Sequence, residues 1–166
     1  VAALLPPFLL LAFTAGVFWS ELSGGPIAYG RDTAVFYYPL TEWVADELRI
    51  GRLPAWIPLI FGGYPLLADG EAGVLSPLNA TFLLTLPMPL AYTAMRATHV
   101  AIAALGLYAL ARTLGANGLG ACIGGLAFAY GSFMVGHLQH DNILRSAAWL
   151  PWILLAGERA LRARGA

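Results

Sequence analysis

The first candidate for chemistry is Asp32, which lies shortly after a charge-free N-terminal stretch and just before Tyr37 and Tyr38. A carboxylate at the mouth of a membrane cavity can act as a general base toward a hydroxyl group or hold a divalent cation. The alternative is a solvated aspartate or a local turn residue. Position alone favours neither interpretation, so the surrounding elements have to decide it.

A second pair of carboxylates, Asp69 and Glu71, flanks Gly70. Oxygen ligands that alternate along a flexible turn can share one hard cation such as Mg or Mn. The pattern is short, however, and the polar tip of a loop would show the same residues. The sequence therefore leaves cation binding and a solvated loop as alternatives.

The densest polar cluster of the second half is His137-Leu138-Gln139-His140-Asp141-Asn142. In one helix, His137, His140 and Asp141 would point roughly the same way. They could then contribute to a transition-metal site, although such a site needs further ligands. Hydrogen bonding to phosphate or sugar and capping at the membrane interface are the alternatives.

Arg96 and His99 lie three residues apart within an otherwise apolar stretch. An ionisable residue at membrane depth is expensive, and by default it faces a cavity or a partner. Arg96 could bind a phosphate bidentately, as could Arg145. The alternative for both is snorkelling of the side chain to the interface.

The composition indicates the environment of these residues. The 166 residues are 59% hydrophobic and 11% charged, with a mean hydropathy of +0.71, which is typical of a membrane protein. Nine arginines and no lysine balance nine acids, so the chain lacks the basic surface that nucleic-acid binding requires. The opening without Met and the closing arginine cluster lead us to expect the front part of a larger protein.

The predicted fold is an all-α polytopic membrane protein, because a bilayer core takes about 20 apolar helical residues. Four spans are expected, joined by two loops that hold most of the polar residues. The spans are 1–19, 89–115, 118–135 and 146–162, and the loops are 20–88 and 136–145.

The orientation follows from the arginines near the ends of spans. Arg112 lies in the tight turn after the second span, and the cluster Arg159, Arg162 and Arg164 follows the fourth. Both places are therefore expected on the cytoplasmic side. Loops 20–88 and 136–145 are then both extracytoplasmic.

The long loop is predicted to contain surface helices. In residues 39–50, the apolar positions Leu40, Trp43, Val44 and Leu48 recur at helical spacing. We expect an amphipathic helix on the membrane with Trp43 toward lipid. A second short apolar helix is expected over 77–86.

The ordered set of landmarks resembles the YfhO-type bacterial membrane proteins, relatives of the GT-C glycosyltransferases. One departure is Ile57, where those proteins often have Asn. The landmarks are Gly30-x-Asp32, Tyr38-Pro39, Gly51-x-Leu53-Pro54-x-Trp56-x-Pro58, Phe61-Gly62-Gly63-x-Pro65, Ser76-Pro77-Leu78-Asn79, His99, Gly136-His137 and Ala148-Trp149-Leu150-Pro151-Trp152.

The resemblance implies a glycosyltransferase that passes sugar from a polyprenyl-phosphate carrier to an extracytoplasmic acceptor, such as a cell-envelope polymer or lipid. The enzyme would lie in the bacterial inner membrane. The resemblance fixes no cofactor, and a divalent cation, Mg or Mn, and no cofactor are left as alternatives. Asp32 matches the essential acid near the start of the first outer loop, which makes it the expected catalytic residue. A noncatalytic membrane scaffold and a transporter fragment are the alternatives. The expected substrate-binding residues are Tyr37, Tyr38, Asp69, Glu71, Arg96, His99, His137 and His140.

Overall fold

The computed structural model describes residues 5–27 and 30–164, whose regular structure is all helical, with no strand among these residues. A π-helical segment, Thr33–Tyr37, precedes the third α-helix. Ile57 and Tyr64 form one isolated antiparallel bridge. The α-helices are α1 (Leu5–Val17), α2 (Trp19–Leu22), α3 (Tyr38–Arg49), α4 (Leu66–Asp69), α5 (Pro77–Thr85), α6 (Met88–Thr113), α7 (Gly118–Ala129), α8 (Ser132–Gly136) and α9 (Asp141–Arg164).

Two helical stretches in the described ranges are long and apolar enough to cross a membrane, Met88–Thr113 and Gly118–Gly136. They correspond to the spans expected over 89–115 and 118–135, and the second consists of α7 and α8. The described part of the first expected span is the shorter apolar helix α1. The fourth, 146–162, lies inside α9, which already begins at Asp141. Four spans therefore stay a prediction.

Local sequence signals fix the helix starts around the long helix α6. The Ser76 side chain accepts a hydrogen bond from the Asn79 amide, and Pro77 occupies the first turn of α5. Beyond α6, the chain reverses at Gly115, whose φ of +97° is readily adopted only by glycine. The Asn117 side chain then accepts from the Gly120 amide at 2.7 Å and starts α7.

The described residues divide into two compact units. The first, here called the helical unit, comprises residues 5–18, 97–137 and 144–164. In it α1 packs against α7, and the Tyr130 hydroxyl donates to Thr14 Oγ1 at 2.8 Å. Gly106 leaves room for Trp152, whose indole N–H donates to the Ile102 carbonyl at 2.9 Å.

The second, here called the polar unit, comprises residues 19–27, 30–96 and 138–143. It contains its own apolar core, in which α3 packs against α5 and Leu40, Val44, Leu66 and Leu83 are buried. Each helix predicted in the long loop is confirmed, as Tyr38–Arg49 and Pro77–Thr85.

The prediction that the apolar face of α3 lies on lipid is wrong. Its apolar face is covered by protein, because Leu40 and Val44 belong to the core of the polar unit and Trp43 packs against that core half-buried. Helical periodicity reveals that a face is apolar, but not whether lipid or protein covers it.

Candidate functional site

The centre of the candidate site is a hydrogen-bonded pair, Asp32 and His140, in the polar unit. His140 Nε2 lies 3.0 Å from Asp32 Oδ2. The side chain of Asp32 is 46% exposed and that of His140 is 29% exposed. An ionised carboxylate only accepts hydrogen bonds, so His140 donates from Nε2. The carboxylate is thereby oriented while remaining open to solvent.

The backbone on both sides of this pair explains its geometry. Asp32 directly precedes the π-helical segment, in which the Tyr38 amide donates to the Thr33 carbonyl. Single π-turns are rare and often occur at functional sites. Gly30 lies against Gln139, and a Cβ at Gly30 would collide with that side chain. The glycine therefore permits the close approach of residues 138–143 to the Asp32 segment.

Tyr37 connects three separate segments of the polar unit. It is 6% exposed, and its hydroxyl lies 2.9 Å from Glu71 Oε2 and 2.8 Å from Asn142 Oδ1. The Tyr37 hydroxyl has a single proton, which the Glu71 carboxylate oxygen and the Asn142 amide oxygen share as acceptors. The Tyr37 ring also meets His140 edge-on, with centroids 6.4 Å apart. Tyr37 thus supports the residue that orients Asp32.

Asp69 and Glu71 hydrogen-bond different tyrosines, and the cation site expected from them stays a prediction. Asp69 accepts a hydrogen bond from the Tyr64 hydroxyl and another, at 3.1 Å, from the Glu71 amide. The Asp69 hydrogen bond, with some burial, raises the pKa of Tyr64 to about 12. In the part of the chain that the structure describes, no three His, Cys, Asp or Glu side chains gather as metal ligands.

A buried polar layer belongs to the same unit, formed by residues whose mutual contact the sequence did not predict. The Tyr92 hydroxyl faces Asp141 and Thr33, and all three side chains are buried. Tyr38 was expected to be a substrate-binding residue. Its ring meets the Tyr92 ring edge-on, with the ring centroids 5.1 Å apart. The sequence signals for this layer were that Tyr92 lies one turn before Arg96 and that Asp141 lies next to His140.

Arg96 is buried in the polar unit rather than snorkelling, so that alternative is wrong. Its side chain is 4% exposed, and Nη1 lies 3.9 Å from Glu21 Oε2. Thr93 donates to the same Glu21 oxygen at 3.3 Å, and the guanidinium lies 5.7 Å from the Tyr92 ring centroid. A phosphate would reach Arg96 only after rearrangement. The acid that neutralises it, Glu21, was not singled out from the sequence.

His99 and His137 belong to the helical unit. His99 is buried. His137 follows the last residue of α8, where its Nδ1 lies 2.7 Å from the Phe133 carbonyl oxygen. The expectation that His137, His140 and Asp141 share a helix face is wrong, because α8 ends at Gly136 and α9 begins at Asp141. The predicted loop 136–145 is accordingly reduced to a short turn.

The arrangement suits proton transfer at one atom. An accessible carboxylate held by a neighbouring imidazole can take a proton from a hydroxyl group that approaches from solvent. The other acids near it, Glu71 and Asp141, already face tyrosine hydroxyls. Comparisons with protein-family models, with curated proteins and with solved structures found no match to this chain.

Proposed function

We propose that this protein is a GT-C-like membrane glycosyltransferase of the YfhO type, and that Asp32 is its general base. The observation that carries the proposal is the half-exposed Asp32 carboxylate held at 3.0 Å by His140. A catalytic base needs both access to substrate and a fixed direction. A solvent-exposed loop aspartate without a catalytic role would not need to be oriented by an imidazole that itself packs against a buried tyrosine.

The proposed reaction is the transfer of sugar from a polyprenyl-phosphate carrier to an acceptor hydroxyl of the cell envelope. The acceptor oxygen forms a bond to the anomeric carbon while the bond from that carbon to the phosphate oxygen breaks. The hydroxyl proton passes to Asp32, and polyprenyl phosphate leaves with the negative charge. The carrier stays in the bilayer throughout.

The arrangement of the carboxylates gives no support for a cation site built from Asp69 and Glu71. Each of these carboxylates hydrogen-bonds a different tyrosine. A divalent cation, Mg or Mn, would require them to exchange those partners. No step of the proposed reaction is therefore assigned to a cation.

The proposal includes four spans in the bacterial inner membrane, with residues 20–88 and 136–145 on the extracytoplasmic face. Support for the fourth span comes from α9, whose 24 residues cover about 36 Å at 1.5 Å per residue. Trp149, Leu150, Ile153 and Leu154 are exposed along it, as lipid-facing side chains would be. Arg112 and the arginines that end α9 support the orientation.

The test is sugar transfer by the Asp32→Asn variant. This change keeps the size of the side chain but removes its basicity. We expect transfer from polyprenyl-phosphate hexoses in membranes to fall by about 100-fold to 10,000-fold, the usual cost of losing a general base. Asp46→Asn is the matched control, because Asp46 is an exposed α3 aspartate of the same unit.

Expression and unfolding temperature are matched among wild type and both variants. Transfer by Asp32→Asn within about threefold of wild type, far less than loss of a base costs, would overturn the proposal. That result would move the proposed base to Asp69 or Glu71, whereas a wild type that transfers no sugar would favour the noncatalytic scaffold or transporter alternative. Loss of transfer in Asp32→Asn alone supports the proposed base.

A further inference from the structure

Residues 57–64 form a tight reversal of the chain, here called the hairpin loop. Its base is closed by two hydrogen bonds, from the Ile57 amide to the Tyr64 carbonyl at 3.0 Å and from the Tyr64 amide to the Ile57 carbonyl at 2.8 Å. Ile57 is buried in the core of the polar unit, as is Leu66 just beyond the loop. The base is thus firmly attached, and the tip is presented outward.

The tip carries large apolar side chains that protein does not cover. Phe61 is 80% exposed and Leu59 is 72% exposed. Trp56, directly before the loop, is also exposed. A group of exposed apolar side chains on a rigid loop usually marks a contact surface.

The backbone at the tip indicates that this exposure has a function. Phe61 has a φ of +52°, in the left-handed region that side chains other than glycine rarely adopt. Gly62 and Gly63 follow with φ of +74° and +117°. A glycine at 61 would make the same turn without strain. The Phe61 ring meets Tyr64 edge-on with centroids 5.7 Å apart, but this contact leaves the side chain 80% exposed. Most of the ring is therefore available for a contact outside the loop, which would account for the strained backbone.

The chemistry of the surrounding sequence identifies the contact. No charged residue occurs between Arg52 and Asp69. Trp56 and Tyr64, the amphipathic aromatic residues typical of membrane interfaces, flank the apolar tip. Since the chain also has two helical stretches long and apolar enough to cross a membrane, a bilayer is the apolar phase that we infer for the tip. A protein partner is the alternative that the cross-linking outcome below distinguishes.

We propose that the hairpin loop inserts Leu59 and Phe61 into the interfacial region of the bilayer. The loop then takes the role that the amphipathic pattern suggested for α3, whose apolar face packs against protein instead. This inference goes beyond sugar transfer, because it holds for a catalytic or a noncatalytic protein.

The test uses a fluorescent probe attached to single cysteines in a Cys122→Ala background, in vesicles of phosphatidylethanolamine and phosphatidylglycerol. Phe61→Cys is compared with Ser23→Cys, an exposed site in a polar turn, and with Ile123→Cys, an exposed site on α7. We expect the probe at 61 to be quenched by lipids that carry a nitroxide near the glycerol end of the acyl chain. Quenching by aqueous iodide should be much weaker at 61 than at 23.

A second arm separates membrane seating from folding. Phe61→Gly relaxes the strained backbone, so the fold should be retained, while lipid quenching of a probe at Leu59→Cys should fall. Leu75→Gly removes an equally exposed leucine of the polar unit outside the loop and should leave that quenching unchanged. Iodide quenching at 61 equal to that at 23 would overturn the proposal. So would a cross-link from 61 to a second copy of the chain or to another protein.

Discussion

His140 Nε2 lies 3.0 Å from Asp32 Oδ2, and the two residues come from segments far apart in the chain. His140 is thus a positioning residue for the proposed base. We expect His140→Gln to lower the transfer rate by about 10-fold to 100-fold, since small misplacements of a reacting group have effects of that size. The loss should appear in kcat with KM nearly unchanged.

The His140 prediction has two controls. Tyr108→Phe, a change in the helical unit, should leave kcat near the wild-type value. The double variant His140→Gln with Asp32→Asn should be no slower than Asp32→Asn alone, because the histidine acts through the aspartate. Additive losses in the double variant would contradict this role.

Tyr37→Phe tests the hydrogen bonds that link the polar unit. The change removes a buried hydroxyl and leaves Glu71 Oε2 and Asn142 Oδ1 without their bond to Tyr37. We expect the free energy of unfolding to fall by about 0.5–1.5 kcal/mol, the usual net contribution of a hydrogen bond, because Asn142 Oδ1 still accepts from the Ile143 amide. Denaturant titration in detergent measures it. Tyr108→Phe, on α6, is the control, and an equal effect there would refute the specific role of Tyr37.

Gly106→Ala should destabilise the helical unit. A Cβ at Gly106 would lie 2.6 Å from the Trp152 Nε1 atom, which now donates to the Ile102 carbonyl. Overpacking against a rigid ring costs about 1–3 kcal/mol. Gly124→Ala is the matched control, because its Cβ would meet Leu107 at an ordinary 3.8 Å. The unfolding temperature should therefore fall more in Gly106→Ala than in Gly124→Ala. Equal falls would contradict the packing described.

The titration of Tyr64 gives a prediction at alkaline pH. Its hydrogen bond to Asp69 raises the pKa from 10.0 to about 12. The folded protein therefore keeps a proton that the unfolded chain loses, so this stabilisation is complete below pH 10 and disappears as the pH rises through about 12. The difference in tyrosinate absorbance between wild type and Tyr64→Phe measures the pKa. Asp69→Asn should return it toward 10.0; an unchanged value would contradict the assigned cause.

The sequence alone was enough to predict the helices that depend on local signals. Apolar length identified α6 and the α7–α8 stretch, and helical spacing with Pro and Gly boundaries identified α3 and α5. These features arise within a few turns of chain, where periodicity, capping and glycine conformation act. Asp32 was also evident as a candidate from its residue type and neighbours.

Only the tertiary structure decided which of these residues meet. Asp32 with His140, Tyr37 with Glu71 and Asn142, and Arg96 with Glu21 are contacts between segments distant in sequence. The same holds for α3, whose apolar face is covered by protein although its pattern suits lipid equally well. Spacing along one chain defines the faces of a helix, but the partner of each face depends on how separate segments pack, and no local pattern encodes that.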